Sequence, residues 1–182
     1  MSTSPSHVSV RPAGQADAPA LGAVHARGWR TSYATLLPEQ ARTALEPTDL
    51  AASWSQAISA PPSPRHQVLV ASAESEVVGF VAIAPGSDAD ADSTADAEVL
   101  VLVVDPDAQR QGHGSRLLNA AVDVLRDGGF RRVTTWVPDT DEPRRRFLES
   151  AGFAPDGATR VLDASGDGTS TVRESRLSTS LS

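Results

Sequence analysis

The stretch Glu98 to Val104 is an almost unbroken apolar run, and together with the segments after it this run narrows the possible folds more than any other feature of the chain. Closed by Asp105 and Pro106, such a run suits a central strand covered on both faces. It leads into a turn carrying Gly112 and Gly114, then the amphipathic segment Ser115 to Arg126, a break at Gly128 and Gly129, and a further strand from Arg132 to Val137. This is a β, loop, α, β unit.

The flanking sequence adds elements on both sides. His7 to Arg11 alternates like a half-buried strand, with Val8 and Val10 on one face. Ala20, Leu21, Val24, Gly28 and Trp29 recur near helical spacing between Asp17 and Tyr33, with Asp17 as cap and Pro19 in the first turn. A second helix is expected over Pro38 to Leu45 and a third over Thr48 to Ser59, capped by Thr48 or Asp49 and ended by the prolines at 61, 62 and 64. Gln67 to Ala73 and Val77 to Ala84 have hairpin spacing and should pair antiparallel. Pro143 to Ser150 is expected to be a short helix with Gly152 beyond its end, and weaker strands are expected over Thr159 to Asp163 and Thr171 to Leu177. With 182 residues, 40% hydrophobic content and no internal repeat, the expectation is one domain over 1–182, with a loose start at 1–6. The small, acidic segment 85–97 should be a mobile surface loop, because it has little apolar surface to bury.

The chemistry is concentrated in Gln109, Arg110, Gln111, Gly112, His113, Gly114 and Ser115. Two glycines at a strand-to-helix turn let several backbone N–H groups converge at the positive end of the helix dipole, which makes a cradle for a pyrophosphate. Arg110 and Arg116 would add forked contacts to the phosphates. His113 sits at a variable position of such loops and is expected to be exposed, with no catalytic role. A P-loop is excluded because it needs a lysine after its last glycine, and a dinucleotide fingerprint because it needs a later glycine. Coenzyme A fits best.

Gln109-x-x-Gly112-x-Gly114 after AEVLVLVVDP resembles the Q/R-x-x-G-x-G/A motif of the GNAT superfamily of N-acetyltransferases. RRFLESAGF at 145–153 resembles the family helix that ends in Gly-Phe, and VHARGWRTSYATLLP at 24–38 resembles the first helices of many bacterial members. The resemblance implies an α/β (α+β) fold: a mixed, mostly antiparallel sheet of six to seven strands, flanked by helices and splayed between strands four and five. It also implies that backbone groups of Leu102, Val103 and Val104 pair with the pantetheine arm of acetyl-CoA, that residues 109–115 hold the pyrophosphate, and that Asp141 lies near the coenzyme where relatives often have asparagine. Arg144, Arg145 and Arg146 suit either a solvated face or the adenosine 3′-phosphate.

The implied activity is acetyl transfer to a primary amine of a small molecule or peptide. Glu98 lies where relatives often carry a carboxylate that acts as base through water. Leu148 occupies the position of the tyrosine that protonates the leaving thiolate in many relatives, so either the only tyrosine, Tyr33, a serine or water substitutes, or the thiolate leaves unassisted. His25, Trp29 and Tyr33 share one helical face, which in relatives borders the acceptor pocket. The alternative is a non-catalytic acyl-CoA-binding or regulatory domain that kept the cradle and lost the acid. Monomer and homodimer, the latter common among relatives, both remain open.

Composition removes other classes. Absence of cysteine excludes a thiol nucleophile, a disulfide framework and a thiolate metal site. The aspartates at 88, 90, 92 and 96 lack the glycine and glutamate of an EF-hand loop, so no metal is expected. A net charge of −7 without a basic run argues against nucleic acid and anionic lipid as partners. No secretory signal or membrane span is evident, so a cytoplasmic protein is expected, and all 16 basic residues being arginine fits a GC-rich bacterial coding bias.

Overall fold

The computed structural model describes residues 8–32, 46–164 and 168–181. Among them are seven strands, β1 (Val8–Pro12), β2 (Gln67–Ala73), β3 (Glu76–Pro85), β4 (Asp96–Val104), β5 (Arg132–Pro138), β6 (Ala154–Asp163) and β7 (Thr171–Ser180), in one sheet of order β1-β2-β3-β4-β5-β7-β6. Every pair is antiparallel except β4 and β5. Four α-helices accompany them: α1 (Ala18–Ser32), α2 (Pro47–Ser59), α3 (His113–Asp127) and α4 (Glu142–Ser150). The predicted β, loop, α, β unit is β4, α3 and β5, and β2 and β3 form the predicted hairpin, turned by Glu74 and Ser75 at φ 50° and 79°. Two positive φ values give the turn a twist that matches the strands.

The two sheet faces carry separate apolar clusters. Leu69, Ala71, Val81, Ile83, Ala97 and Val99 pack with Leu117, Leu118, Ala121 and Leu125 of α3, while Val70 and Phe80 pack with Leu21 and Val24 of α1 and Trp54 of α2. Period-two alternation assigns neighbours in a strand to opposite faces. In β4 that alternation breaks. Ala82 and Ile83 of β3 face Val101 and Val99, which leaves Leu100 as an extra residue in a β-bulge. The bulge shifts parity by one, so Ala97 and Val99 join the α3 face before it and Leu102 and Val104 after it, while Val101 and Val103 join the α1 face. By the same alternation Glu98 falls on the face that Val101 and Val103 occupy beyond the bulge. Close approach fixes α1: a Cβ on Gly22 would sit 2.3 Å from the Pro47 carbonyl oxygen, and one on Gly28 2.5 Å from a Val103 methyl.

Several expectations are corrected. β4 is not covered along its whole length, for Leu100 is 48% exposed where the neighbouring strand leaves. Asp17 does not cap α1; it ends a 3-10 turn (Gln15–Asp17), and its carboxylate turns back to the Gly14 N–H at 2.8 Å and the Arg11 guanidinium at 2.7 Å. Neither Thr48 nor Asp49 caps α2, because Pro47 already occupies its first position after Glu46. β6 and β7 are longer than expected because each supplies the other's hydrogen bonds across their hairpin. The helix expected over 38–45 and the loose start at 1–6 lie outside the described residues. No helix among the described residues is long and apolar enough to cross a membrane.

Candidate active site

β4 and β5 pair only through Asp96, Ala97 and Glu98 against Arg132, Val133 and Thr134. The Thr135 hydroxyl donates to the Val99 carbonyl at 3.0 Å, and beyond it the strands part. β4 continues against β3 to Val104, while β5 continues against β7 to Pro138. Among the described residues one edge of β4 from Leu100 to Val104 therefore has no strand beside it, and Leu102, Val103 and Val104 are only half-buried. Backbone groups on that edge need a partner.

The loop at the end of β4 is anchored at its root and open at its tip. Asp105 accepts from the Asp107 N–H at 3.1 Å, capping a 3-10 turn (Pro106–Ala108), and its other oxygen pairs with Arg27 of α1. Arg110 at φ 64° and Gly112 at φ 82° then reverse the chain. Left-handed residues in such a loop turn successive N–H groups to one side and form an anion-binding concavity. Among the described residues, no protein acceptor takes the N–H groups of Arg110 to Ser115, and those of His113, Gly114 and Ser115 are the first of α3. The Arg116 guanidinium folds over the loop and donates to the Gln111 carbonyl at 2.9 Å, and the Gln109 amide reaches the Val104 carbonyl at 3.4 Å. A Cβ on Gly112 would lie 3.2 Å from the Arg116 guanidinium, whereas one on Gly114 would make ordinary contact with Phe147 of α4. The observed geometry fits the diphosphate expected from the sequence.

His113 is corrected: it is 2% exposed, not a surface residue, and neither ring nitrogen has a partner. Burial, with Arg116 adding to it, depresses its proton affinity. A neutral ring adds no positive charge to the cradle. A cavity of about 860 Å³ is lined by Arg27, Glu74, Glu76, Asp107, Gln111 and His113.

Glu98, at the point where the seam opens, is 6% exposed. Burial pushes its carboxyl above the ordinary value, Asp88 adds to this, and the Ser87 hydroxyl, Arg160 and Arg176 oppose it. Ser87 donates to Glu98 Oε2 at 3.2 Å. The acidic segment read as a mobile loop is tied down. Arg176 of β7, 4% exposed, reaches Asp88 at 2.9 Å, Asp90 at 2.6 Å and Asp156 at 2.8 Å. The Trp136 indole N–H donates to Asp88 at 3.2 Å, Arg65 donates to the Ser93 and Thr94 carbonyls, and Arg132 forks onto Asp96. The expectation counted buried apolar surface and left out charge-assisted hydrogen bonds, which the segment makes through Asp88 and Asp90. Arg176 was missed, although the buried alternation of Val172, Glu174 and Arg176 in β7 marks it as a charged residue facing inward.

The other expected residues are dispersed. His25 accepts from the Trp54 indole N–H at 3.2 Å and packs near Trp29, Trp54 and Phe80, and burial drives its proton affinity down to about 4. Tyr33 lies outside the described residues. Asp141 caps α4 by accepting from the Arg144 N–H at 3.2 Å. Arg145 and Arg146 face Asp139 and Glu142. Leu148 is 3% exposed within the apolar cluster under α3 and α4, so no proton donor stands there.

The pattern of the acetyltransferase (GNAT) family matches residues 28–153. A putative phosphinothricin N-acetyltransferase superposes with a TM-score of 0.72 at 22% identity, covering 96% of this chain and 99% of that one. PaiA N-acetyltransferase from Thermoplasma acidophilum, solved with coenzyme A, gives 0.68 at 20% identity over 92% and 97%. YncA, a putative acetyltransferase from Salmonella typhimurium solved with acetyl-CoA, gives 0.68 at 16% identity over 96% and 94%. No curated protein matches the sequence. With the splayed seam, the unengaged amides after β4 and a family pattern covering more than half its length, this chain belongs to the GNAT family of acetyltransferases.

Proposed function

We propose that the protein transfers an acetyl group from acetyl-CoA to a primary amine of a small molecule or peptide. The observation that carries this reading is a strand that leaves its neighbour beyond Glu98 and ends in backbone N–H groups with no acceptor among the described residues. The amides of residues 110–115, aided by Arg110 and Arg116, would hold the diphosphate, with the Gln109 N–H kept by the Pro106 carbonyl, and the free edge of Leu102, Val103 and Val104 would align the pantetheine arm. Acetyl-CoA supplies the acyl group already activated as a thioester.

Glu98 is the proposed base, taking the proton of the acceptor ammonium through water. Its raised proton affinity moves it toward neutral pH, where a base is most effective. His25, Trp29 and Tyr33 would border the amine, and Tyr33 or water would protonate the departing thiolate. The test is release of free thiol when acetyl-CoA is mixed with a panel of primary amines and N-terminal peptides. One observation favours a second reading, an acyl-CoA-binding domain without turnover: the aliphatic side chain of Leu148 where many relatives place the acid. Calorimetric binding of acetyl-CoA with no thiol release across the whole panel would select it.

A further inference from the structure

We infer that Arg176 is a positioning residue for Glu98: by gripping Asp88 and Asp90 against Asp156 it holds the segment 86–92 over β4, and so fixes the partners of the Glu98 carboxyl. The inference rests on the proposed function, in which Glu98 is the base. The Arg176 side chain is not needed to make the sheet, because β7 pairs with β5 and β6 through its backbone.

The geometry supplies a short mechanical path. Arg176 uses all three guanidinium nitrogens, Nε to Asp156, Nη1 to Asp88 and Asp90, and Nη2 to Asp90. Asp156 belongs to β6, so the clamp joins the loop before β4 to the far edge of the sheet across β7. Asp88 also accepts from Trp136 of β5, so the clamp and the strand that leaves β4 meet at one carboxylate. Ser87, the preceding residue, donates to Glu98. Releasing Asp88 would release Ser87 with it. A bidentate guanidinium contact fixes an orientation that a lysine ammonium does not.

The charges facing Glu98 are Asp88 from the loop, Arg160 from β6 and Arg176 from β7. Arg160 is itself neutralised by Glu174 at 2.7 Å, and Arg176 by three carboxylates. β3 and β5 pair with Glu98 through Ala84 and Thr134, which bring no charge. Asp88 and Ser87 act on Glu98 in opposite senses, and both are held through Arg176.

The experiment uses the full-length protein and reads three quantities: the titration of the Glu98 carboxyl by carbon NMR, hydrogen exchange over 86–92, and kcat with KM for acetyl-CoA. Asp88→Asn should lower the Glu98 titration midpoint, and Ser87→Ala should raise it. Arg176→Met should speed exchange in the loop at least tenfold and lower kcat at least tenfold with KM for acetyl-CoA within twofold, and Arg176→Lys should recover part of kcat. Unchanged loop exchange in Arg176→Met, midpoints moving the same way in the two loop variants, or an unaltered kcat overturns the inference. Should Arg176→Met fail to fold, Arg176→Lys decides: loop exchange and kcat both equal to wild type overturn the inference. Wild-type protein that releases no thiol with any amine defeats the acetyl-transfer reading, while the titration and exchange still show whether Arg176 sets the surroundings of Glu98.

Discussion

The two loops that bracket β4 are built on opposite plans. Before the strand, residues 86–95 are rich in charge and satisfy that charge internally: Asp88 and Asp90 on Arg176, Asp92 on the N–H and hydroxyl of Thr94, and Arg65 on two loop carbonyls. After the strand, residues 110–115 have little charge and leave a row of N–H groups without acceptors among the described residues. The first loop is complete without a ligand and the second is not. Both flank the same open seam, so one strand has a fixed end suited to positioning a base and an unsatisfied end suited to receiving an anion.

Replacements at the two ends should therefore separate chemistry from binding. The largest effect is expected from Glu98→Gln, which should lower kcat about a hundredfold or more, the size of a lost general base, while calorimetry finds acetyl-CoA affinity unchanged. A parallel loss of affinity would break the division between the two ends. Next, Gly112→Val places a branched side chain at φ 82° beside Arg116 and should weaken acetyl-CoA binding by roughly tenfold to a hundredfold, the equivalent of about 1–3 kcal/mol of local strain. Gly114→Ala, whose added Cβ makes only ordinary contacts, should bind within about twofold of wild type, since the cost there is small. Arg116→Ala removes an exposed cation and should weaken binding about threefold to fivefold, an effect that shrinks in high salt.

The smallest effect concerns acid. Hydrogen bonds from Arg176 hold the Asp90 carboxyl at about 2, below its ordinary 3.8. A depressed carboxyl contributes stability that is complete above its unfolded value and disappears as pH falls through the folded one. Hydrogen exchange should therefore show 86–95 loosening between about pH 4 and 2, ahead of residues 110–115, which make no such pair among the described residues. Simultaneous release of both loops would remove the contrast.

Much of the fold was legible in the sequence. Periodicity and turn residues placed the β2–β3 hairpin, the β4–α3–β5 unit and α4, because these depend on local pattern. The glycine-bearing loop was legible because backbone conformation there is dictated by residue type. The Leu100 bulge was not: an unbroken apolar run has no alternation to interrupt, so the parity shift that sorts Glu98, Val101 and Val103 onto one face leaves no trace. The contacts of the acidic segment 85–97, expected as a mobile loop, were not legible because Arg176 lies 86 and 88 residues away from the aspartates it holds. His113 was misread because a variable loop position suggests exposure, whereas it is the first residue of α3 and is buried there.

By itself the sequence determined which segments become strands and helices and where backbone N–H groups converge after β4, since these depend on spacing, glycine conformation and the helix terminus. Only the tertiary structure decided where β4 parts from β5, which face Glu98 shares, and which cation fastens the acidic loop beside it. Those depend on strand register and on side chains brought together from distant parts of the chain, and neither is encoded in local sequence pattern.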